Sequence, residues 1–318
     1  MKLEKQIQVV NNISKQDFQS DFVIPQIPVV IKNAVNHWAA FEKWQPDYLE
    51  QQVGDLKVSL KKSESFKHPD ANQKDPGATM QLTFAQYLQK TVFNDDMVER
   101  KKYYLSGDEN FFYTQGKQNP AYAPIADDFK VPELFDHNRL RDISFWLSVQ
   151  GMFSWLHFDG NGCHNLNVQV AGSKRVQLFH PDQVSKLYPI TLRENIQGFN
   201  FSKIDLVDYQ ASKFPLSKDA VYQETILEAG DMLFIPAVWY HGIHHLGDVN
   251  MNVNFWWQPE TVQLSSNVMR SELLKTAHEA YLSKVMDNYD NPKWENWCKD
   301  EVKAAELLFA CDEHLIAR

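Results

Sequence analysis

The sequence predicts a mainly β fold, a sandwich or barrel of short strands, with mixed α/β elements before it and a helical extension after it. The strand-like segments are 143–150, 164–171, 174–179, 224–228, 231–235 and 250–257. Helical periodicity is nearly absent from this stretch, and many short strands close to Gly, Pro, Asn or Asp are typical of sandwiches and barrels. After Pro259 the apolar residues recur at helical spacing instead.

The N-terminal part mixes strand and helix signals. Residues 22–34 form a β-branched run with two prolines, which predicts a strand. Pro46 lies where the first turn of a helix is expected. Thr83 can cap a short helix that runs to Lys90. Residues 57–61 alternate like a strand between these two helices.

We expect two parts in the chain. Residues 1–260 form one domain with its β core at about 143–258, and residues 261–318 form a helical segment. One apolar stripe on the first predicted helix comprises Met269, Leu273, Leu274, Ala277, Tyr281 and Val285. An amphipathic helix must bury such a stripe. The surface that covers it is either the chain's own barrel or a second copy of the chain.

Composition and charge narrow the class of protein. Of 318 residues, 43% are hydrophobic and 23% are charged, which is ordinary for a globular protein. The chain carries 41 acidic and 32 basic side chains, which gives a net charge of -9. Nucleic-acid binders usually have a basic surplus, so this balance argues against that role.

Cysteine usage and the N-terminus indicate the compartment. The cysteines Cys163, Cys298 and Cys311 are odd in number and form no Cys-x-x-Cys pair, which favours a reducing environment. The N-terminus lacks the apolar core of a signal peptide, and no apolar run is long enough to cross a bilayer. We therefore expect a cytoplasmic protein with no membrane partner.

The sequence WLHFD at residues 155–159 contains the sharpest chemical signal. In a strand, residues two apart point to the same side, so His157 and Asp159 can aim at one point. A distant third ligand would complete a set of two histidines and one carboxylate, which is diagnostic of non-haem iron(II) oxygenases. Three histidines are candidates for that ligand: His241, His244 and His245.

Four stretches carry a resemblance to a known family. They are HFD at 157–159, NLNVQVAGSKRVQLFHPDQVSKLYP at 165–189, EAGDMLFIPAVWYHGI at 228–243 and VNFWW at 253–257. In this order and spacing the chain resembles the JmjC-type cupin oxygenases, and within them the small hydroxylase branch. The resemblance implies a double-stranded β-helix, or jelly roll, with the metal in its mouth. It also selects His241 as the third ligand, because the family's ligand directly follows a Pro-x-x-Trp-aromatic segment.

The resemblance further implies residues that hold the distal carboxylate of 2-oxoglutarate. Lys174 matches the family's lysine for this role, and strand alternation turns Arg175 to the opposite face. Ser154 matches a Thr or Ser that donates to the same carboxylate. Tyr104 matches an upstream tyrosine that adds another hydrogen bond, with Tyr103 as the alternative.

Other matching positions lie near the expected metal. Asn165 and Asn254 match residues that approach the metal-bound end of the cosubstrate. Three aromatic residues are expected to pack the barrel instead of taking part in chemistry: Trp239, Phe255 and Trp256.

The resemblance implies a dioxygenase that uses iron(II), 2-oxoglutarate and dioxygen and releases succinate and carbon dioxide. The small hydroxylases modify protein or peptide side chains, and one branch modifies a tRNA base. The acidic charge balance favours a protein or peptide here. Related hydroxylases pair through helices placed like residues 261–318, so a homodimer is expected, and twofold dimers are the commonest soluble oligomers. The alternatives outside this class are a metal cupin with other chemistry and a catalytically silent cupin that binds a partner.

Overall fold

A computed structural model describes residues 1–62, 79–105, 111–114, 116–159, 162–190 and 200–259. The strands are β1 (Lys2–Gln6), β2 (Gln8–Asn11), β3 (Val29–Lys32), β4 (Lys57–Lys62), β5 (Thr79–Thr83), β6 (Tyr103–Leu105), β7 (Phe111–Thr114), β8 (Lys117–Gln118), β9 (Leu140–Val149), β10 (Phe153–His157), β11 (His164–Ala171), β12 (Ser173–Phe179), β13 (Val221–Glu228), β14 (Met232–Ile235), β15 (Tyr240–His245) and β16 (Val249–Trp257). The α-helices are α1 (Lys15–Phe18), α2 (Ala40–Lys43), α3 (Pro46–Val53), α4 (Phe84–Lys90), α5 (Met97–Arg100) and α6 (Ala123–Ala126). Short 3-10 or π-helical segments lie at Gln19–Val23, Pro120–Tyr122, His137–Arg139, Pro181–Lys186 and Pro215–Asp219.

Two sheets pack against each other and form the barrel. The first has the strand order β1-β13-β12-β15-β10, and the second has the order β2-β3-β14-β11-β16-β9-β7-β8. Between β10 and β16 the chain passes repeatedly from one sheet to the other, as a double-stranded β-helix does. The predicted mainly β fold of jelly-roll type is therefore confirmed.

One half of the barrel interior is apolar. It is formed by β12 and β13 of the first sheet with β3 and β14 of the second, and we call it the apolar half. Its buried cluster comprises Ile7, Val30, Val176, Leu178, Leu227, Leu233, Ile235 and Trp239. Burying one such side chain is worth roughly 1.5–3 kcal/mol. This cluster therefore holds the two sheets together.

The other half of the interior is polar. It is formed by β10 and β15 of the first sheet with β9, β11 and β16 of the second, and we call it the polar half. Its buried polar side chains include Ser148, Asn165, Asn167, His241, His245, Asn252 and Asn254. Buried polar groups need partners, because each one without a hydrogen bond costs free energy. This half of the barrel is therefore where a ligand is expected.

The outer face of the second sheet is also buried, under the N-terminal elements. On β11 the residues Leu166, Val168 and Val170 face outward into the largest core cluster. Trp44 and Phe145 pack there edge to face, with ring centroids 5.3 Å apart. Strand β11 thus has both faces covered, and this fixes which of its side chains reach the interior.

The N-terminal elements agree largely with the sequence prediction. Pro46 lies in the first turn of α3, as expected. Thr83 caps α4 in a capping box, in which its Oγ1 accepts from the Gln86 backbone at 3.2 Å and Gln86 Oε1 accepts from the Thr83 backbone at 3.0 Å. The run 22–34 differs from the prediction, because only β3 is a strand and the preceding Gln19–Val23 is a π-helical segment.

Two expectations concern membranes and the C-terminus. No helix within the described ranges is long and apolar enough to cross a membrane. The helical segment predicted at 261–318, with the homodimer that it would form, lies outside the described residues. The C-terminal helical segment and the homodimer therefore stay predictions.

Candidate metal centre

Two histidines and one aspartate converge in the polar half. His157 is the last residue of β10, and His241 is the second residue of β15. These antiparallel strands pair the two histidines directly, and Asp159 follows two residues after β10. The Nε2 atoms of His157 and His241 lie 3.9 and 3.8 Å from Asp159 Oδ1. The three candidate ligand atoms all lie within 4.8 Å of one another.

The way in which Asp159 reaches this point differs from the sequence prediction. Simple strand alternation is not the reason, because β10 ends at His157 and the aspartate lies in the turn beyond it. That turn is held by a neighbouring segment: the Phe158 N–H donates to Asn200 O at 3.0 Å, and Phe201 forms a β-bridge with His157. The convergence therefore depends on a tertiary contact that the local pattern does not contain.

Backbone carbonyls orient both histidines. His157 Nδ1 lies 2.6 Å from Trp155 O, and His241 Nδ1 lies 3.0 Å from Trp239 O. A carbonyl oxygen only accepts, so each Nδ1 carries the hydrogen and each Nε2 presents its lone pair. Hydrogen bonds of this kind fix the tautomer and the ring orientation of metal-binding histidines.

The carboxylate of Asp159 is oriented in the same manner. Its Oδ2 accepts from Asn165 Nδ2 and from Trp256 Nε1, both at 3.0 Å. Its Oδ1 is the oxygen nearest the Nε2 atoms of His157 and His241. The two N–H donors thus hold one oxygen and leave the other for a cation.

Electrostatics favour the protonation states that bind metals. Burial, together with the neighbouring His241, lowers the pKa of His157 to about 4. Burial alone would raise the pKa of Asp159, but the two histidines and the two N–H donors bring this pKa below its usual value. At neutral pH His157 is therefore a neutral donor and Asp159 is a carboxylate, as metal binding requires.

A cavity of about 180 Å³ adjoins the three residues. Its aromatic lining consists of Trp146, Phe153, Trp155, Phe201 and Trp256. Its other lining residues, apart from the three candidate ligands, are Ser154, Asn165, Asn167, Ile243, His245, Asn252 and Asn254. A concave site with apolar walls and a few placed polar groups is typical of small-molecule binding.

Lys174 does not itself line this cavity but contacts Asn167, which does, and it is almost completely buried, with 1% of its surface exposed. Its Nζ donates to Asn167 Oδ1 at 2.6 Å, and no carboxylate pairs with it among the described residues. Burial lowers the pKa of Lys174 well below its usual value. Because a buried ammonium is costly without a counter-charge, this position favours an anionic ligand.

The turn before Lys174 depends on a glycine. Gly172 has φ +70°, and a Cβ on it would lie 2.2 Å from Val249 O. Only glycine fits both conditions, so it allows the tight turn by which the chain passes from β11 in the second sheet to β12 in the first. Arg175, one residue further on, is exposed on the opposite face, as predicted.

The structure brings most of the predicted site residues together. Ser154, Asn165 and Asn254 line the cavity with the three candidate ligands. Asn254 Oδ1 accepts from Asn252 Nδ2 at 2.7 Å, whereas Asn165 acts through the carboxylate of Asp159.

The two tyrosine alternatives lie on β6. The side chain of Tyr104 is outside the described part of the structure. The ring of Tyr103 faces Lys90 Nζ at 5.5 Å and does not line the cavity.

Of the three candidates for the third ligand, the structure places only His241 beside Asp159. His244 pairs with Phe153 across the strands and does not line the cavity, whereas His245 lines the cavity away from the ligand atoms.

Sequence reasoning missed two contacts of the site. Trp256 was expected to pack the barrel, but its Nε1 donates to Asp159, whereas Trp239 and Phe255 are packing residues as predicted. Asn167 was not singled out, although it is the partner of Lys174. Both could have been found from strand alternation, because Asn167 shares a face with Asn165, and Trp256 shares one with Asn254.

Comparison with known proteins identifies the family. The model of the cupin-like domain family matches residues 15–263, which is most of the chain. The chain belongs to this family, and the expected JmjC/cupin membership is confirmed.

The curated relatives that resemble this chain include lysine-specific demethylases and a tRNA wybutosine-synthesizing protein. The chain is 27% identical over 268 residues to lysine-specific demethylase JMJ30 of Arabidopsis thaliana, which covers 82% of this chain and 57% of that protein. It is 26% identical over 249 residues to lysine-specific demethylase 8 of Xenopus tropicalis, with 77% and 51% covered. It is 26% identical over 264 residues to tRNA wybutosine-synthesizing protein 5 of Homo sapiens, with 78% and 76% covered. The chain therefore spans little more than half the length of these two demethylases.

Proposed function

We propose that the protein is an iron(II)- and 2-oxoglutarate-dependent dioxygenase that hydroxylates a side chain of a protein or peptide. The observation that carries the proposal is that His157, Asp159 and His241 converge at a cavity whose wall includes Asn167, the hydrogen-bond partner of the buried Lys174. Two histidines and one carboxylate suit iron(II) and leave positions open for other ligands. A buried lysine next to such a set suits an anionic cosubstrate.

The donor set fits iron(II). Both histidines present Nε2, and Asp159 presents Oδ1, so small side-chain movements would bring all three donors to one ion. When bound, the metal would activate dioxygen for oxidation of a C–H bond, with 2-oxoglutarate as the reductant that leaves as succinate and carbon dioxide. Asn165 and Trp256 would keep the Asp159 carboxylate in place during this chemistry.

Side chains in and next to the cavity would bind the cosubstrate, 2-oxoglutarate. Lys174 would bind the terminal carboxylate of 2-oxoglutarate as a point charge. Asn167 occupies one of the three N–H donors of Lys174 and leaves the others for the ligand. Ser154 lies in the cavity wall next to Ile243, its partner on the neighbouring strand, and would add a hydroxyl to the same pocket. Phe201 stacks on His157 at 5.3 Å between ring centroids and would exclude water from that side.

A protein or peptide is the favoured substrate class. The net charge of -9 opposes the binding of nucleic acid, which is itself an anion. Two of the relatives reported above are named for lysine demethylation, and one is named for tRNA wybutosine synthesis. A tRNA substrate is therefore the second candidate, supported by that third relative.

An anaerobic titration tests the proposal. Iron(II) is added to the protein, followed by 2-oxoglutarate, and the visible spectrum is recorded. We expect a weak metal-to-ligand charge-transfer band that needs both additions. If the band is absent at saturating iron, the chain is instead a cupin with other metal chemistry or a silent binding module.

The substrate class needs a separate measurement. Succinate release is followed in air with a mixed peptide pool and, in parallel, with total tRNA. We expect stimulation by the peptide pool. Stimulation by tRNA alone would replace the peptide substrate by a tRNA base and would leave the oxygenase proposal intact.

A further inference from the structure

His245 is a second buried histidine in the cavity wall, away from the candidate ligands. On β15 the residues His241, Ile243 and His245 alternate, and all three line the cavity. Lys174 lies directly opposite His245 on the neighbouring strand β12. Side chains opposite each other in an antiparallel pair are close neighbours on the same face. His245 in the cavity wall and Lys174 directly behind that wall are therefore close neighbours.

The polar atoms of His245 are only half satisfied. Its Nδ1 lies 2.8 Å from Ser148 Oγ. Its Nε2 is buried and has no hydrogen-bond partner in the described part of the chain. Burial and the charge of Lys174 lower the pKa of His245 to about 3, so the ring is neutral at physiological pH. A buried polar atom without a partner costs free energy, and a ligand in the cavity would remove that cost.

A purely structural histidine looks different in the same molecule. His164 is equally buried, and burial lowers its pKa to about 3 as well. Its Nδ1 accepts from the Ala237 N–H at 3.0 Å, and its ring lies 5.3 Å from the rings of both Phe234 and Trp257. His164 thus packs against the rings of a core cluster, whereas His245 belongs to the cavity wall and keeps one ring nitrogen without a partner among the described residues.

We propose that His245 is a specificity-determining residue of the cosubstrate pocket, where its Nε2–H donates a hydrogen bond to the terminal carboxylate of a 2-oxo dicarboxylate beside Lys174. This inference rests on the proposed function. Ser148 is the positioning residue, because its hydroxyl can donate to Nδ1 and so keep the hydrogen on Nε2. The carboxylate then meets an ammonium and an imidazole N–H together, which a 2-oxo acid without a terminal carboxylate cannot use.

The test measures binding to the full chain with iron(II) under anaerobic conditions. His245→Leu removes the donor and keeps much of the side-chain volume. We expect it to weaken 2-oxoglutarate binding about ten- to a hundredfold, the typical loss for a hydrogen bond to a charged group. His245→Gln retains an N–H donor and should recover part of the affinity. His244→Ala is the matched control on the same strand and should bind normally.

Two further readouts separate ligand binding from a structural role. The affinity for iron(II) and the affinity for 2-oxobutyrate, which lacks the terminal carboxylate, should be the same in His245→Leu and in the unaltered protein. A loss of iron(II) affinity in His245→Leu and His245→Gln alike would overturn the inference in favour of a structural role.

The outcomes also distinguish the two proposals. If the unaltered protein binds 2-oxoglutarate and His245→Leu binds it equally well, only the role of His245 is wrong. If the unaltered protein gives no 2-oxoglutarate-dependent band with iron(II), the proposed function fails and this inference fails with it.

Discussion

The two halves of the barrel interior are built from strands of the same two sheets but hold opposite kinds of side chain. The apolar half is filled by residues such as Val176 and Leu233, which are completely buried. The polar half is lined by asparagines and histidines around a cavity of about 180 Å³. Lys174 and Val176 stand on the same face of β12, at the boundary between the halves.

This difference indicates that the apolar half stabilises the fold, whereas the polar half is suited to bind a ligand. In the apolar half each side chain finds its partners inside the protein. In the polar half Asn165 Oδ1 and His245 Nε2 are buried without hydrogen-bond partners among the described residues. Unsatisfied polar groups oppose folding, and Asn165 and His245 both belong to the cavity wall, where a ligand could supply the missing hydrogen bonds.

The largest effect is expected from the candidate ligands in the polar half. His157→Ala, Asp159→Ala and His241→Ala should each abolish 2-oxoglutarate turnover, because a set of three donors loses one. The measurement is succinate release together with iron(II) binding. His244→Ala is the control and should remain active. If His244→Ala is inactive and His241→Ala is active, the assignment of the third ligand is wrong.

A substitution in the apolar half should lower the stability of the protein. Leu233→Ala removes a completely buried side chain and should lower the free energy of unfolding by about 2–5 kcal/mol, with iron(II) affinity unchanged in the folded protein. Denaturant unfolding measures this. Leu216, which is 56% exposed, supplies the control, and Leu216→Ala should change stability little. Equal effects of the two changes would mean that the apolar cluster does not hold the sheets together.

At the boundary, Lys174→Ala should act on the cosubstrate. The loss of a charged hydrogen bond typically costs roughly 1.5–3 kcal/mol, which is about ten- to a hundredfold in the 2-oxoglutarate requirement. Iron(II) binding should stay nearly intact. Arg175→Ala changes the exposed neighbour and should do much less. A similar loss in both variants would remove the argument from strand faces.

The smallest effect separates two tryptophans, one in each half. Trp256→Phe keeps the ring and removes the N–H that donates to Asp159, so iron(II) affinity should fall by about tenfold, the lower end of the range for groups that orient a metal ligand. The loss stays small because Asn165 still donates to the same oxygen. Trp239→Phe in the apolar half should leave iron(II) affinity unchanged. Competition with a metal-sensitive dye measures both variants.

Much of the fold could be predicted because its strands have clear local signals. The segment 164–171 is predicted and observed as one strand, and 174–179 differs from β12 by one residue at its start. Strands β1 and β2 were not predicted, since the polar residues of β1 are exposed and are ordered by pairing with distant partners.

Prediction of the candidate site is limited in the same way, because contacts between distant parts of the chain position its residues. The pattern of β11 alternates polar and apolar residues, which ordinarily indicates a face turned to solvent. Here Asn165 and Asn167 face a cavity, because the N-terminal elements cover the opposite face. Asp159 could be selected from its spacing to His157, but the contacts of Asn200 and Phe201 that position it come from a later part of the chain.

The N-terminal strand has a consequence for how the protein is made. Lys2 pairs with Val221, and the next strand β2 pairs with β3 in the opposite sheet, so the first eleven residues join both sheets. Strand β1 is therefore synthesised well before its partner β13. Contacts of such long sequence separation slow folding, and an unpaired edge is prone to association with other chains during the delay. We expect refolding to be slow. The yield of folded protein should depend on temperature and on chaperones, because the edge of β13 stays unpaired until β1 joins it.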